Sequence, residues 1–140
     1  MSLPVSFTRT RAGTVLVVDD YEEARAAIRE HLESNGHHVV EARNGKEALD
    51  LLVSTPTPDI AMIVLDLQMP IMDGWQFLRI LGTYVRLAAI PVLVVSGYAE
   101  RLDRAAHGNV VGCLQPPYEL DSLLAMVNAR TSPPSPTGSA

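Results

Sequence analysis

Lysine is almost absent from this chain: Lys46 is the only one among the 11 Lys and Arg residues, and the arginines are scattered along the 140 positions. With a formal net charge of -5, there is no clustered basic patch of the kind a phosphate backbone rewards, so direct nucleic-acid binding is not expected. Cysteine is equally scarce. Cys113 alone can form no internal disulfide and can build no zinc site, which makes it a small apolar residue and places the chain in a reducing cytoplasm. No apolar run approaches the roughly 20 residues that cross a bilayer, and residues 1–13 lack the apolar core of a secretory signal, so no membrane association is expected. His31, His37, His38 and His107 show no metal-ligand spacing. A glycine-rich phosphate loop is missing too, which disfavours a nucleotide or flavin binder.

What is present is enough for one buried core. Hydrophobic residues make up 47% of the chain and charged residues 19%, the balance of a compact domain of ordinary size. Residues 1–13 mix Ser, Thr, Pro and Arg without period, and residues 131–140 are rich in Ser and Pro. Both are expected to lie outside the fold, the first as a disordered segment and the second as a disordered tail or linker. A single domain over residues 14–130 remains.

Within it, short apolar runs alternate with amphipathic stretches. Strands are expected at Thr14–Val18, His38–Ala42, Ile60–Leu65, Pro91–Val95 and Val110–Leu114. Between and after them the pattern calls for helices. The first runs from Tyr21 to Asn35, with Ala24, Ile28 and Leu32 inward and Gly36 as its stop; the second is capped by Asn44 and buries Ala48, Leu51 and Leu52. A third follows Asp73-Gly74 and carries Trp75, Leu78 and Leu81. A short fourth spans Ala99–Ala106, and the last carries Leu120, Leu123, Leu124 and Val127. Nearly continuous apolar strands separated by helices indicate a parallel sheet covered on both faces, with right-handed crossovers.

The acids fall at one edge of that sheet. The first strand ends in Asp19-Asp20 and the third in Asp66, so three carboxylates converge at the strand C-termini, where open α/β sheets bind ligands. At about 4 Å and an effective dielectric near 20, each pair repels by roughly 4 kcal/mol unless a cation or protons intervene. A hard divalent cation such as Mg²⁺ suits an all-oxygen site with neither His nor Cys. It would also attract phosphate, toward which Asp66, at the end of the central strand, is placed as a nucleophile. Ser96-Gly97 ends the fourth strand and brings a hydroxyl to the same edge. Asp19 and Asp20 have a second reading, as caps for the following helix.

Asp19-Asp20, the segment from Leu65 to Gly74 (LDLQMPIMDG), Ser96 and Pro117 together make the stretch Thr14–Arg130 resemble a response-regulator receiver domain of bacterial two-component signalling. The resemblance implies a flavodoxin-like (βα)5 doubly wound sheet of strand order 2-1-3-4-5. It implies phosphorylation of Asp66 by a sensor histidine kinase. Mg²⁺ would be held by Asp19, Asp20, Asp66 and the backbone carbonyl of Gln68, and Ser96 would hydrogen-bond the phosphoryl group. It further implies a cis Pro116–Pro117 bond, a downstream protein target or effector domain as partner, and a monomer or weak homodimer.

Two positions depart from that family. Receivers carry a lysine just before the proline that follows the fifth strand, and here Pro116, with neither charge nor donor, occupies that place. Lys46 falls in the second helix, far from it, and Arg101 reads as a solvated arginine at a helix start. Where the family has an aromatic switch residue, this chain has Cys113. Three functions are therefore weighed. The first is a Mg²⁺-dependent phospho-acceptor that at most hydrolyses its own acyl phosphate. The second is a receiver-derived docking module that Pro116 has uncoupled from phosphorylation. The third, a phosphohydrolase, lacks a substrate cap and has Gln68 where a general acid is needed.

Overall fold

The computed structural model describes residues 13–54 and 59–131. The expected terminal segments 1–13 and 131–140 therefore lie, apart from Gly13 and Thr131, outside the described residues. Five parallel strands form one sheet: β1 (Thr14–Val18), β2 (Val39–Ala42), β3 (Ile60–Leu65), β4 (Val92–Val95) and β5 (Val110–Leu114), in the order β2-β1-β3-β4-β5. This is the flavodoxin-like arrangement, with strand order reversing between β1 and β3.

Alternation along each strand divides the core. Leu16, Val18, Ile63, Leu65, Val92 and Val94 point to one face. That face is covered by α2 (Gly45–Val53) and α3 (Gly74–Leu81), whose Ala48, Leu52, Phe77, Leu78 and Leu81 are buried against it. Val15, Val17, Met62, Val64, Leu93 and Val95 point the other way, onto Ile28 and Leu32 of α1 (Glu22–Ser34) and Leu123 and Val127 of α4 (Leu120–Arg130). With both faces covered, β1, β3 and β4 have no solvent side, which is why they read as nearly unbroken apolar runs, whereas the edge strand β2 carries Glu41.

Local chemistry sets the helix ends. Asn44 accepts from the Glu47 amide at 2.9 Å and caps α2. Asp73 and Gln76 form a reciprocal capping box at the start of α3. Gly36 takes a left-handed φ of 91° and ends α1 without the steric cost a side chain would bring.

Two expectations differ from the structure. The segment Ala99–Ala106 is not an α-helix: it forms two 3-10 turns, Ala99–Arg101 and Arg104–Ala106, and the segment buries only Ala99 in the first turn and Leu102 between the two. With so few inward side chains, no turn of α-helix gains enough packing to persist. In α1 the inward stripe is Arg25, Ile28 and Leu32 rather than Ala24, Ile28 and Leu32. A guanidinium lies where a methyl group is expected.

Candidate functional site

The acidic edge is assembled by backbone pairing that continues past the strands. The Asp19 amide donates to the Ala42 carbonyl at 3.1 Å, and the Asp66 amide to the Val18 carbonyl at 3.0 Å, so the ends of β2, β1 and β3 stay in register up to the acids. Asp19, Asp20 and Asp66 each offer a carboxylate oxygen, and these oxygens lie within 4.8 Å of one another. Neither Asp19 nor Asp20 caps α1. The N-cap is Tyr21, without a side-chain cap bond, and the Asp19 Oδ1 instead accepts from the Tyr21 amide at 2.9 Å.

Asp66 is half-buried and well supplied with donors. Its Oδ1 accepts from the Leu67 amide at 2.7 Å, and the nearby Ser96 hydroxyl and Gln68 amide favour its charged form. Burial nevertheless outweighs these donors and, with the charge of Asp20 nearby, raises the Asp66 pKa above the ordinary carboxylate value. Asp19 is pushed up to about 6, first by burial and then by Asp66 and Asp20, against the lowering effect of the Tyr21 amide and of Arg25. Both shifts arise mainly from burial, with the neighbouring carboxylates adding to it.

The acids open into a cleft lined by Asp19, Tyr21, Asp66, Gln68, Ser96, Tyr98, Pro116 and Tyr118, with Ala24, Val95 and Gly97 between them. Ser96 is almost wholly buried, at 2% exposure, and its Oγ also accepts from the Tyr98 amide at 3.1 Å. Gln68 sits on the exposed rim. Pro116, joined to Pro117 by a cis bond, lines the wall. Lys46 is engaged elsewhere, paired with Asp50 at 3.0 Å along α2. Arg101 stacks on the Tyr98 ring with its guanidinium carbon 5.1 Å from the centroid. Cys113 packs against the core on the face that also holds Trp75 and Tyr98, whose rings meet edge-on with centroids 6.4 Å apart.

The donor set at the acids is oxygen alone, which fits a small hard cation and excludes a site built for zinc or copper. The segment after Asp66 completes the wall. The Gly74 amide donates to the Leu67 carbonyl at 2.7 Å, and a Cβ on Gly74 would stand 2.6 Å from the Asp66 carbonyl oxygen. Only glycine lets α3 begin so close to the acid.

Residues 15–128 match the family "Response regulator receiver domain". The chain belongs to the response-regulator receiver family. It is 36% identical over 129 residues to the response regulator MprA of Mycolicibacterium vanbaalenii, covering 89% of this chain and 54% of that protein. Against MprA of Mycobacterium tuberculosis it is 39% identical over 125 residues, or 85% of this chain and 52% of the relative. It thus spans about half the length of these curated relatives. A response regulator receiver protein from Pseudomonas putida superposes with a TM-score of 0.74 at 34% identity, covering 87% of this chain and 99% of the other. As a receiver domain, the chain is a component of two-component signalling.

The local sequence pattern did not mark Arg25, Tyr21, Tyr98 and Tyr118 as neighbours of the acids. For Arg25 a signal existed: it precedes Ile28 and Leu32 by three and seven residues and so shares their inward face. The tyrosines come from three separate loops, and no local pattern relates them.

Proposed function

We propose that this receiver accepts a phosphoryl group on Asp66 in a Mg²⁺-dependent reaction and thereby changes its affinity for a protein target. The observation that carries this reading is the meeting of the Asp19, Asp20 and Asp66 carboxylate oxygens within 4.8 Å of one another, with Asp19 and Asp66 lining one open cleft beside Ser96. A carboxylate oxygen of Asp66 attacks the phosphorus of a phosphohistidine on a sensor histidine kinase. The P–N bond breaks, the imidazole leaves with the electron pair, and an acyl phosphate forms. Asp19, Asp20, Asp66 and the Gln68 carbonyl would hold the Mg²⁺, which when bound neutralises charge on the transferring oxygens. Ser96, which lines the cleft with Asp66, is placed to donate to a phosphoryl oxygen. Attack of water on phosphorus then releases phosphate and restores the carboxylate. We place this exchange in the cytoplasm, the reducing setting that suits the free thiol of Cys113.

Pro116 favours a second reading. It lines the cleft where receivers present a lysine, and it offers no cation to the phosphoryl group. A domain so altered could bind Mg²⁺ and dock partners without being switched by phosphorylation. Incubation with acetyl phosphate, with and without Mg²⁺, followed by intact mass measurement beside Asp66→Asn, separates the two. A metal-dependent adduct absent from Asp66→Asn is the expected result. Mg²⁺ binding without any adduct would instead establish the docking module.

A further inference from the structure

α1 opens with Glu22 and Glu23, as the positive end of a helix dipole favours, yet Arg25 follows in the same turn and is only 9% exposed. A cation there runs against the dipole, and burying it adds a desolvation cost. Two contacts offset these terms. The Arg25 Nε donates to the Glu41 Oε1 at 2.8 Å, and its Nη1 donates to the backbone carbonyl of Asp19, also at 2.8 Å. Glu41 lies on β2 opposite Val17 of β1, and Arg29 Nη1 holds its other oxygen at 2.9 Å. One planar fork thus ties α1 to the neighbouring strand and to the peptide between Asp19 and Asp20.

We propose that Arg25 is a positioning residue for the Mg²⁺ site. By gripping the Asp19 carbonyl it sets the direction in which the chain leaves β1, and so the angle at which the Asp19 and Asp20 carboxylates face Asp66. Glu41 in turn fixes the guanidinium. A lysine carries the same charge but cannot reproduce two donors at a fixed angle, so charge and geometry can be separated by substitution. The inference rests on the metal reading above and deepens it, extending the site from its oxygen ligands to the residues that aim them.

The test is Mg²⁺ titration of the whole chain by calorimetry, with urea midpoints measured in parallel, for wild type, Arg25→Lys and Arg29→Lys. Arg25→Lys is expected to raise the dissociation constant about tenfold or more, the usual effect of losing a residue that orients metal ligands. Arg29→Lys loses a bond to the same Glu41 but removes no contact to the Asp19 carbonyl, so it should lower stability and leave Mg²⁺ affinity unchanged. Equal affinity in Arg25→Lys and wild type would overturn the inference alone. Wild type without saturable Mg²⁺ binding would overturn the metal reading and this inference with it. Should Arg25→Lys fail to fold, Glu41→Gln takes its place, with weaker Mg²⁺ binding expected and unchanged binding overturning the proposal.

Discussion

Two side chains illustrate how single residues tune this domain. Pro116 stands on the wall of the cleft beside Asp66 and brings no cation to it. Restoring one with Pro116→Lys should accelerate adduct formation from acetyl phosphate on the order of 10²-fold, the scale on which one well-placed donor acts in transfer chemistry. An unchanged rate would mean that the wall of the cleft does not reach the reacting group. Glu41 belongs to stability. Burial tends to raise its carboxyl, but hydrogen bonds and charge from Arg25 and Arg29 prevail and hold it below its ordinary value of 4.5. A carboxyl depressed by folding stabilises the native state above its unfolded pKa, and that contribution is lost as pH falls through the folded value. The urea midpoint of wild type should therefore exceed that of Glu41→Gln at pH 7, and the gap should close as pH drops below about 4.5. A gap that stays constant to pH 3 would show that Glu41 acts by packing alone.

At the scale of elements, the turn between β3 and α3 couples the acid to the fold most tightly. A Cβ on Gly74 would meet the Asp66 carbonyl oxygen at 2.6 Å and the Leu67 Cα at 2.7 Å, both backbone atoms that cannot swing aside. Gly74→Ala should cost about 1–3 kcal/mol in denaturant unfolding by overpacking, and the shifted backbone should slow phosphorylation of Asp66 as well. Stability within a few tenths of a kcal/mol of wild type would mean that the loop relaxes freely. The crossover from β4 to β5 lies at the other extreme. Over Ala99–Ala106 it buries only Ala99 and Leu102, and the face of α3 beside it opens into grooves lined by Leu78, Gly82, Ala106 and His107. The sequence already showed weak periodicity there, but whether Ala99–Ala106 would wind as α-helix depended on packing against the sheet, which local pattern does not report.

For the whole molecule, the three carboxylates store mutual repulsion that a bound cation relieves, so Mg²⁺ should stabilise the fold. At one hundred times its dissociation constant it should add about 2.7 kcal/mol, on the order of 8 °C in Tm for a domain of this size. Scanning calorimetry should show that shift in wild type and its loss in Asp20→Asn; no shift in wild type would exclude a site that binds Mg²⁺ and the folded state together. The alternation of strands and helices, and the placing of Asp19, Asp20 and Asp66 at strand ends, were legible from the chain because they follow from runs and periods within about 15 residues, where side-chain spacing and backbone direction are strictly coupled. The meeting of those acids follows one step later, from parallel strands ending at a common edge. The folded chain alone brings Tyr21, Tyr98, Tyr118 and Pro116 into one cleft and packs Cys113 on the same face as Trp75 and Tyr98. These are meetings of loops and helix faces far apart in the chain. Their distances are set by sheet twist and core packing, for which no single segment carries the information.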